Sequence, residues 1–311
     1  MAERFCTDHA LAGRAGDRLR RCETCGVVAS SPTPQFDYEA AYFTNGADGG
    51  YDFNAQFALD FDAARFIPEL DRLAQHGGPG TLLDVGCATG TYLVRAQERG
   101  WRVAGVESAA FARQEAARRT NSTVVAFCEE LPPGQTFDVV TLHHVLEHVH
   151  NPVAFLRDSI MPRVRGRLLI EVPNFNSLAA RIYGPRWRDL RPEQHVYHYT
   201  PDSLAAVIEA AGMRVNEIYS LWQPLWSLRA TAELAELMRG LISGVDQRWS
   251  DAPSRDAGDS ARRQADYRRP GPARRALGEA SRLATRPIVS ALESRGLGER
   301  LVAIAVPGGP R

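Results

Sequence analysis

Leu82-Leu83-Asp84-Val85-Gly86-Cys87-Ala88-Thr89-Gly90 is the stretch whose reading decides the fold. Thr81–Gly86 is a short apolar run, read as a buried strand. Gly86 and Gly90 then allow a sharp turn and a close backbone approach to a ligand. Thr91–Arg99 reads as a helix that stops at Gly100, a residue suited to the left-handed position after a helix end. Downstream, Arg102–Glu107, Thr123–Ala126, Phe137–Leu142 and Arg167–Val172 read as strands, separated by helices over Ala109–Arg119 and Pro152–Ile160. Thr200-Pro201-Asp202 opens a further helix that closes at Gly212, with a threonine cap, proline at the first turn and an acid at the positive dipole end. Met213–Ser220 and Leu301–Val306 read as the last two strands. Alternating strands and helices predict a parallel sheet covered on both faces. Right-handed crossovers place the strand carboxyl ends on one edge, where ligands bind.

A glycine-rich turn alone is weak, because dinucleotide-binding folds use one too. Glu107, at the end of the second strand, adds more. A carboxylate there accepts hydrogen bonds from both ribose hydroxyls, each worth about 1.5–3 kcal/mol. The bland alternative is a structural turn beside a solvated acid.

On these residues the chain resembles the class I S-adenosylmethionine-dependent methyltransferases. Residues 82–90 look like their first motif and Glu107 like their acidic second motif. Phe137-Asp138-Val139-Val140 with Val145-Leu146-Glu147-His148-Val149 resembles their fourth-strand motif, Leu168–Asn174 the fifth strand and Tyr199–Gly212 the late helix. Within the class the chain is most similar to ubiquinone-type small-molecule O-methyltransferases and to bacterial enzymes with an N-terminal cysteine cluster. The resemblance implies an α/β, Rossmann-like sheet of seven strands with the last antiparallel, a small N-terminal zinc module and a helical insertion before the last strand. It implies S-adenosyl-L-methionine held at Asp84, Gly86, Cys87, Ala88 and Gly90, with Glu107 and Ser108 at the ribose. It also implies Phe127, Cys128 and Glu129 near the adenine and His143 toward the methionine end. Ala88 stands where many members carry glycine, and alanine fits there if φ is negative.

The domain reading is a zinc-ribbon-like module over 1–35, a lid and helix over 36–80, the core over 81–220, an insertion over 221–299 and the last strand with its tail over 300–311. The helix of the second segment spans roughly Gln56 to Gln75 and stops at Gly77-Gly78-Pro79-Gly80. Leu228–Ile242 and Arg282–Leu292 read as helices flanking a charged loop over Asp246–Arg275. That loop reads as solvated and mobile. Its arginine pairs would otherwise meet an anionic partner, and the flanking helices offer a homodimer surface or a cover for the acceptor.

Histidines gather in two places. His144-Val145-Leu146-Glu147-His148 has a spacing found in some zinc proteases, but it continues an apolar strand, and Glu147 and His148 read as local helix-orienting residues. His143 and His144 lie at the ligand edge. The segment Tyr183–Tyr199 follows the fifth strand and overhangs the transfer site. Its aromatics clamp an acceptor, and His195 or His198 accepts the acceptor's proton; the alternatives are substrate lining and packing. His195, His198 and His144 are thus the candidate catalytic residues.

Cys6, His9, Cys22 and Cys25 form two pairs with two-residue spacers, a set of soft ligands for one structural Zn2+. So short a module has almost no core, and metal would stabilise it.

Composition excludes other chemistry. All 37 basic residues are arginine, so lysine Schiff bases and phosphate-loop lysines are absent. Arginine and acid balance to a formal charge of zero, which argues against nucleic acid as partner. The sequence shows no signal peptide and no apolar span of membrane length, so a reducing, cytoplasmic setting is expected. The expected partner is a small-molecule acceptor. An RNA base methyltransferase with a zinc ribbon is the second reading; Val172-Pro173-Asn174 departs from the motif common in base-amine enzymes. A non-catalytic cofactor-binding subunit is the third.

Overall fold

A computed structural model describes residues 11–12, 18–35, 66–75, 77–187, 189–222 and 286–308. Cys6, His9, the lid over 36–65, the helix expected over Leu228–Ile242 and the arginine-rich loop lie outside the described residues.

The strands are β1 (Leu11–Ala12), β2 (Leu19–Cys22), β3 (Val28–Ser30), β4 (Thr81–Val85), β5 (Arg102–Val106), β6 (Val124–Val125), β7 (Phe137–His143), β8 (Val164–Pro173), β9 (Tyr197–His198), β10 (Met213–Leu221) and β11 (Arg300–Pro307). The helices are α1 (66–74), α2 (Thr91–Glu98), α3 (Ala110–Thr120), α4 (Pro152–Ala154), α5 (Leu178–Tyr183), α6 (Pro201–Ala210) and α7 (286–293). Seven strands form the main sheet in the order β10-β11-β8-β7-β4-β5-β6. Pairings β4–β5, β4–β7, β5–β6 and β7–β8 are parallel, and β11 runs antiparallel to both neighbours. This is the expected Rossmann-like sheet with its last strand reversed.

The central strands read as continuous apolar runs because both faces are covered. Leu82, Leu83, Val140, Leu142, Leu168, Leu169 and Ile170 are fully buried. Each such side chain contributes roughly 1.5–3 kcal/mol relative to exposure. Gly100 ends α2 at φ 85°, its N–H donating to Gln97 O. Thr200 accepts the Ser203 N–H while Ser203 Oγ accepts the Thr200 N–H, so α6 starts on a reciprocal cap with Pro201 at its first position.

Two local differences stand out. The helix expected over Pro152–Ile160 is α only to Ala154, and Phe155–Ile160 is wound as a π turn. Pro162 follows, and its missing N–H and its ring disfavour a regular ladder there. The N-terminal module also does not stand apart. β1, β2, β3 and β9 form one four-stranded sheet, with Val28 opposite His198 and Ala29 opposite Tyr197. Cys22, Val27 and Ala29 share the main core with Leu146, Tyr197 and Tyr199.

Candidate active site

The parallel strands deliver the ends of β4, β5, β7 and β8 to one edge. Backbone N–H groups of Gly86 and Cys87 both donate to Val106 O, which draws the turn after β4 across the end of β5. Gly86 lies at φ 75°, and a Cβ there would stand 2.4 Å from Val145 Cγ2. Gly90 lies at φ 80°, and its Cβ would meet the Cα and Cβ of Ala116 at 3.0 Å. Gly90 therefore makes room for α3 to pack against the turn. Cys87 turns its side chain inward, and its Sγ would crowd a Cβ on Gly105 at 2.7 Å. Burial and the nearby acids push its thiol pKa well up.

Ala88 corrects an expectation. Its φ is 46°, left-handed rather than negative. That conformation costs an L-residue about 1–2 kcal/mol. A bond from the Ala88 N–H to Glu107 Oε2 at 2.9 Å compensates. Glu107 Oε1 accepts the Ala109 N–H, also at 2.9 Å. Two backbone donors thus fix the carboxylate, which is 7% exposed. Burial raises its pKa despite those donors. Each oxygen keeps a second acceptor direction, so the group suits a vicinal diol.

Asp84 is buried at the end of β4 and accepts from Thr141 Oγ1 at 2.7 Å. His143 lies between two acids, with Nε2 3.0 Å from Glu69 Oε1 and Nδ1 3.5 Å from Asp84 Oδ1. Burial opposes its charge, but Glu69 and Asp84 together outweigh that and lift its pKa to about 10. Tyr92 Oη also donates to Glu69, at 2.7 Å, and Phe66 and Tyr92 pack on the His143 ring. Sequence reading missed Glu69, Tyr92 and Thr141. A signal existed for Glu69: it falls on the face of α1 that buries Phe66, Leu70 and Leu73, where a lone acid needs a partner.

Beyond β6, Phe127 is 59% exposed. Cys128 turns its side chain into the core, while Glu129 accepts from Ser159 Oγ at 2.6 Å. Ser108 is exposed, and its carbonyl accepts from Arg113.

The two histidine groups meet. His144, at φ 56°, has Nδ1 3.0 Å from Glu147 Oε1 and Nε2 3.2 Å from Glu171 Oε1. Arg300, at the start of β11, bonds Glu171 at 2.6 Å and touches His144 Nε2. Glu147 and Glu171 are both buried, and burial pushes the Glu147 pKa up to about 8. Glu171 and Arg300 went unnoticed in the sequence, because only the β8–β11 pairing brings them together. His148 Nδ1 donates to Gln194 O at 3.0 Å, and its ring packs edge-on against His195 at 4.8 Å. Ser30 Oγ donates to His195 O at 2.6 Å and so accepts from His198 Nε2 at 3.1 Å. His195 and His198 are buried, which drives His195 well below its usual pKa and His198 down to about 3. His144 is the most open of the three candidate bases, with its side chain 32% exposed.

Of the cysteine set, Cys22 and Cys25 are described. The Cys25 N–H points at Cys22 Sγ at 3.5 Å, and Gly26 turns at φ 74°. That tight turn between β2 and β3 fits two thiolates of one metal site.

An open α/β sheet with a glycine turn at its central strand and a buried acid at the end of the next strand is a domain of the Rossmann-like kind. A family profile described as a methyltransferase domain matches residues 59–218, and the chain belongs to that family. A ubiquinone biosynthesis O-methyltransferase of Rhodopseudomonas palustris (strain BisB5) is 29% identical over 149 residues, covering 44% of this chain and 59% of that protein. One of Parvibaculum lavamentivorans is 29% identical over 188 residues, covering 56% of this chain and 72% of that protein. A SAM-dependent methyltransferase of Archaeoglobus fulgidus, among solved structures, aligns with TM-score 0.46 and 18% identity over 81% of this chain and 97% of its own. The chain thus spans only part of the length of these curated relatives. Among the described residues no helix is long and apolar enough to cross a membrane.

Proposed function

We propose that this protein transfers a methyl group from S-adenosyl-L-methionine to a small-molecule acceptor, with a hydroxyl favoured over nitrogen or carbon. The biosynthetic settings that suit it are secondary metabolites, quinones and cell-surface glycans. One observation carries the reading: Glu107, held by the Ala88 and Ala109 N–H groups, stands beside the glycine turn with both oxygens able to take a ribose diol. The cofactor supplies an activated methyl on a sulfonium. Gly86 and Ala88 let the backbone approach it, Asp84 meets its amine end, and Phe127 offers a ring face near the adenine. Holding acceptor and methyl in line supplies about 7–11 kcal/mol of the barrier.

The acceptor end is His144, flanked by Glu147 and Glu171, under the segment that carries His195 and His198. His144 takes the acceptor proton at Nε2 once the acceptor displaces Arg300 from that nitrogen, and the Glu147 and Glu171 carboxyls stabilise the resulting imidazolium. His195 and His198 hold the covering segment in place through Ser30. Cys6, His9, Cys22 and Cys25 bind one structural zinc, a reading supported by the tight Cys22–Cys25 turn.

Calorimetry of the full chain against S-adenosylmethionine and NAD is the direct test. Binding of the first alone is expected, and binding of NAD alone refutes the reading. Radiolabelled methyl donor in cell extracts then finds the acceptor, on which His144→Gln should cost far more turnover than His198→Gln.

A further inference from the structure

We propose that Glu147, His148 and His195 form a second metal site, a zinc clip that ties the end of β7 to the segment covering the acceptor. The ligand claim stands on these side chains alone; only its place beside the acceptor rests on the methyltransferase reading.

The donor atoms of the three residues lie within 4.8 Å of one another. Two imidazoles and a carboxylate suit zinc and its first-row neighbours. Bonds of about 2.0–2.1 Å in tetrahedral geometry bring donors to roughly 3.4 Å apart, a contraction that small side-chain rotations supply.

Three further observations point the same way. Glu147 is 1% exposed, and its Oε2 has no hydrogen-bond partner. A buried carboxyl oxygen in that state calls for a cation or a donor. The edge-on packing of His148 and His195 accounts for the two rings, but not for this oxygen. Second, each ligand is already oriented from behind. His148 Nδ1 donates to Gln194 O, a ring N–H of His195 donates to the Asp189 backbone, and Glu147 Oε1 meets His144 Nδ1. Metal-binding histidines are held in this way, with one nitrogen on a carbonyl and the other on the ion. Third, the backbone fixes the spacing. The Val196 N–H donates to Glu147 O at 2.7 Å, and the His195 N–H to Arg191 O at 2.7 Å.

This is not the protease-like arrangement suggested by the spacing of His144, Glu147 and His148. His144 sits on the other oxygen of Glu147 and orients it, while the third ligand, His195, comes from the distant segment that leads into β9. Bound zinc would give the covering segment a fixed end at His195, to complement the β3–β9 pairing at His198.

The test is metal content of the full-length protein after chelation and reloading with Zn2+, for wild type, Glu147→Gln, His195→Gln and Cys25→Ser. Glu147→Gln and His195→Gln should each hold one zinc fewer than wild type, and the loss should be independent of that in Cys25→Ser. Zinc should raise the melting temperature of chelated Cys25→Ser but not of the same variant carrying Glu147→Gln. Equal zinc in wild type and Glu147→Gln overturns the proposal. Glu147→Gln preserves size, so it decides alone if His195→Gln does not fold. S-adenosylmethionine calorimetry on the same samples separates the two claims: loss of nucleoside binding in wild type sinks the enzyme reading and leaves the zinc count standing.

Discussion

Replacing Glu107 by Gln tests the nucleoside site at its centre. The carboxylate accepts one backbone N–H on each oxygen, from Ala88 and Ala109, both at 2.9 Å. One acceptor direction per oxygen is left, as the proposed grip on two ribose hydroxyls requires. Glutamine keeps one oxygen and turns an NH2 group toward the other partners. At least one charge-assisted bond to the ribose is lost, at about 1.5–3 kcal/mol, which converts to a roughly 10- to 150-fold weaker Kd for S-adenosylmethionine. One backbone N–H also loses its acceptor, which costs roughly 1–3 kcal/mol of stability. The loss of charge near the start of α3, whose cap Ala109 has no side-chain acceptor of its own, adds a few tenths to 1 kcal/mol. Calorimetry measures the first effect and urea unfolding the second. A folded Glu107→Gln protein that binds S-adenosylmethionine within about twofold of wild type refutes the reasoning.

Ala88→Gly relieves the left-handed strain at φ 46° and gives back part of the gain as chain entropy, so a net stabilisation of roughly 0.5–1 kcal/mol is expected in urea unfolding. Destabilisation there would show that the turn is not held as described. Gly86→Ala drives a methyl to 2.4 Å from Val145 Cγ2 at a positive φ, at about 1–3 kcal/mol; adding Val145→Ala should recover the steric part only, as read from melting curves of both variants. The His143 pKa of about 10 lies above its unfolded value of 6.5, so its contribution is complete below pH 6.5 and fades as pH rises toward 10. Wild-type stability should therefore fall between pH 7 and 9.5 with a slope of up to about 1.4 kcal/mol per pH unit. Glu69→Gln should flatten that slope, and parallel pH profiles for the two proteins would remove Glu69 as the cause.

Much of the sheet was legible because its signals are local. A buried parallel strand is an apolar run, a cap is a threonine before Pro201, and a turn is a glycine at a fixed offset. Asp84, Glu107 and His143 were singled out as candidates the same way, each at the end of a strand. The partners of His143 were not, because Glu69 lies on a helix that precedes the whole sheet. Glu171 and Arg300 were missed for the same reason: they meet through an antiparallel ladder between distant strands. The left-handed Ala88 had no local mark, since the hydrogen bond its N–H donates to Glu107, 19 positions away, holds it there.

What the chain's order of residues determined by itself was the layering, the common edge of strand carboxyl ends and the acid at the end of β5, because hydrophobic period and turn chemistry act over a few neighbours. Tertiary structure alone decided which side chains converge. The pairing of β3 with β9 set His198 on Ser30, the helix before the sheet set Glu69 on His143, and the covering segment brought His195 to Glu147. Such contacts depend on how distant elements pack, and no short-range pattern encodes that distance.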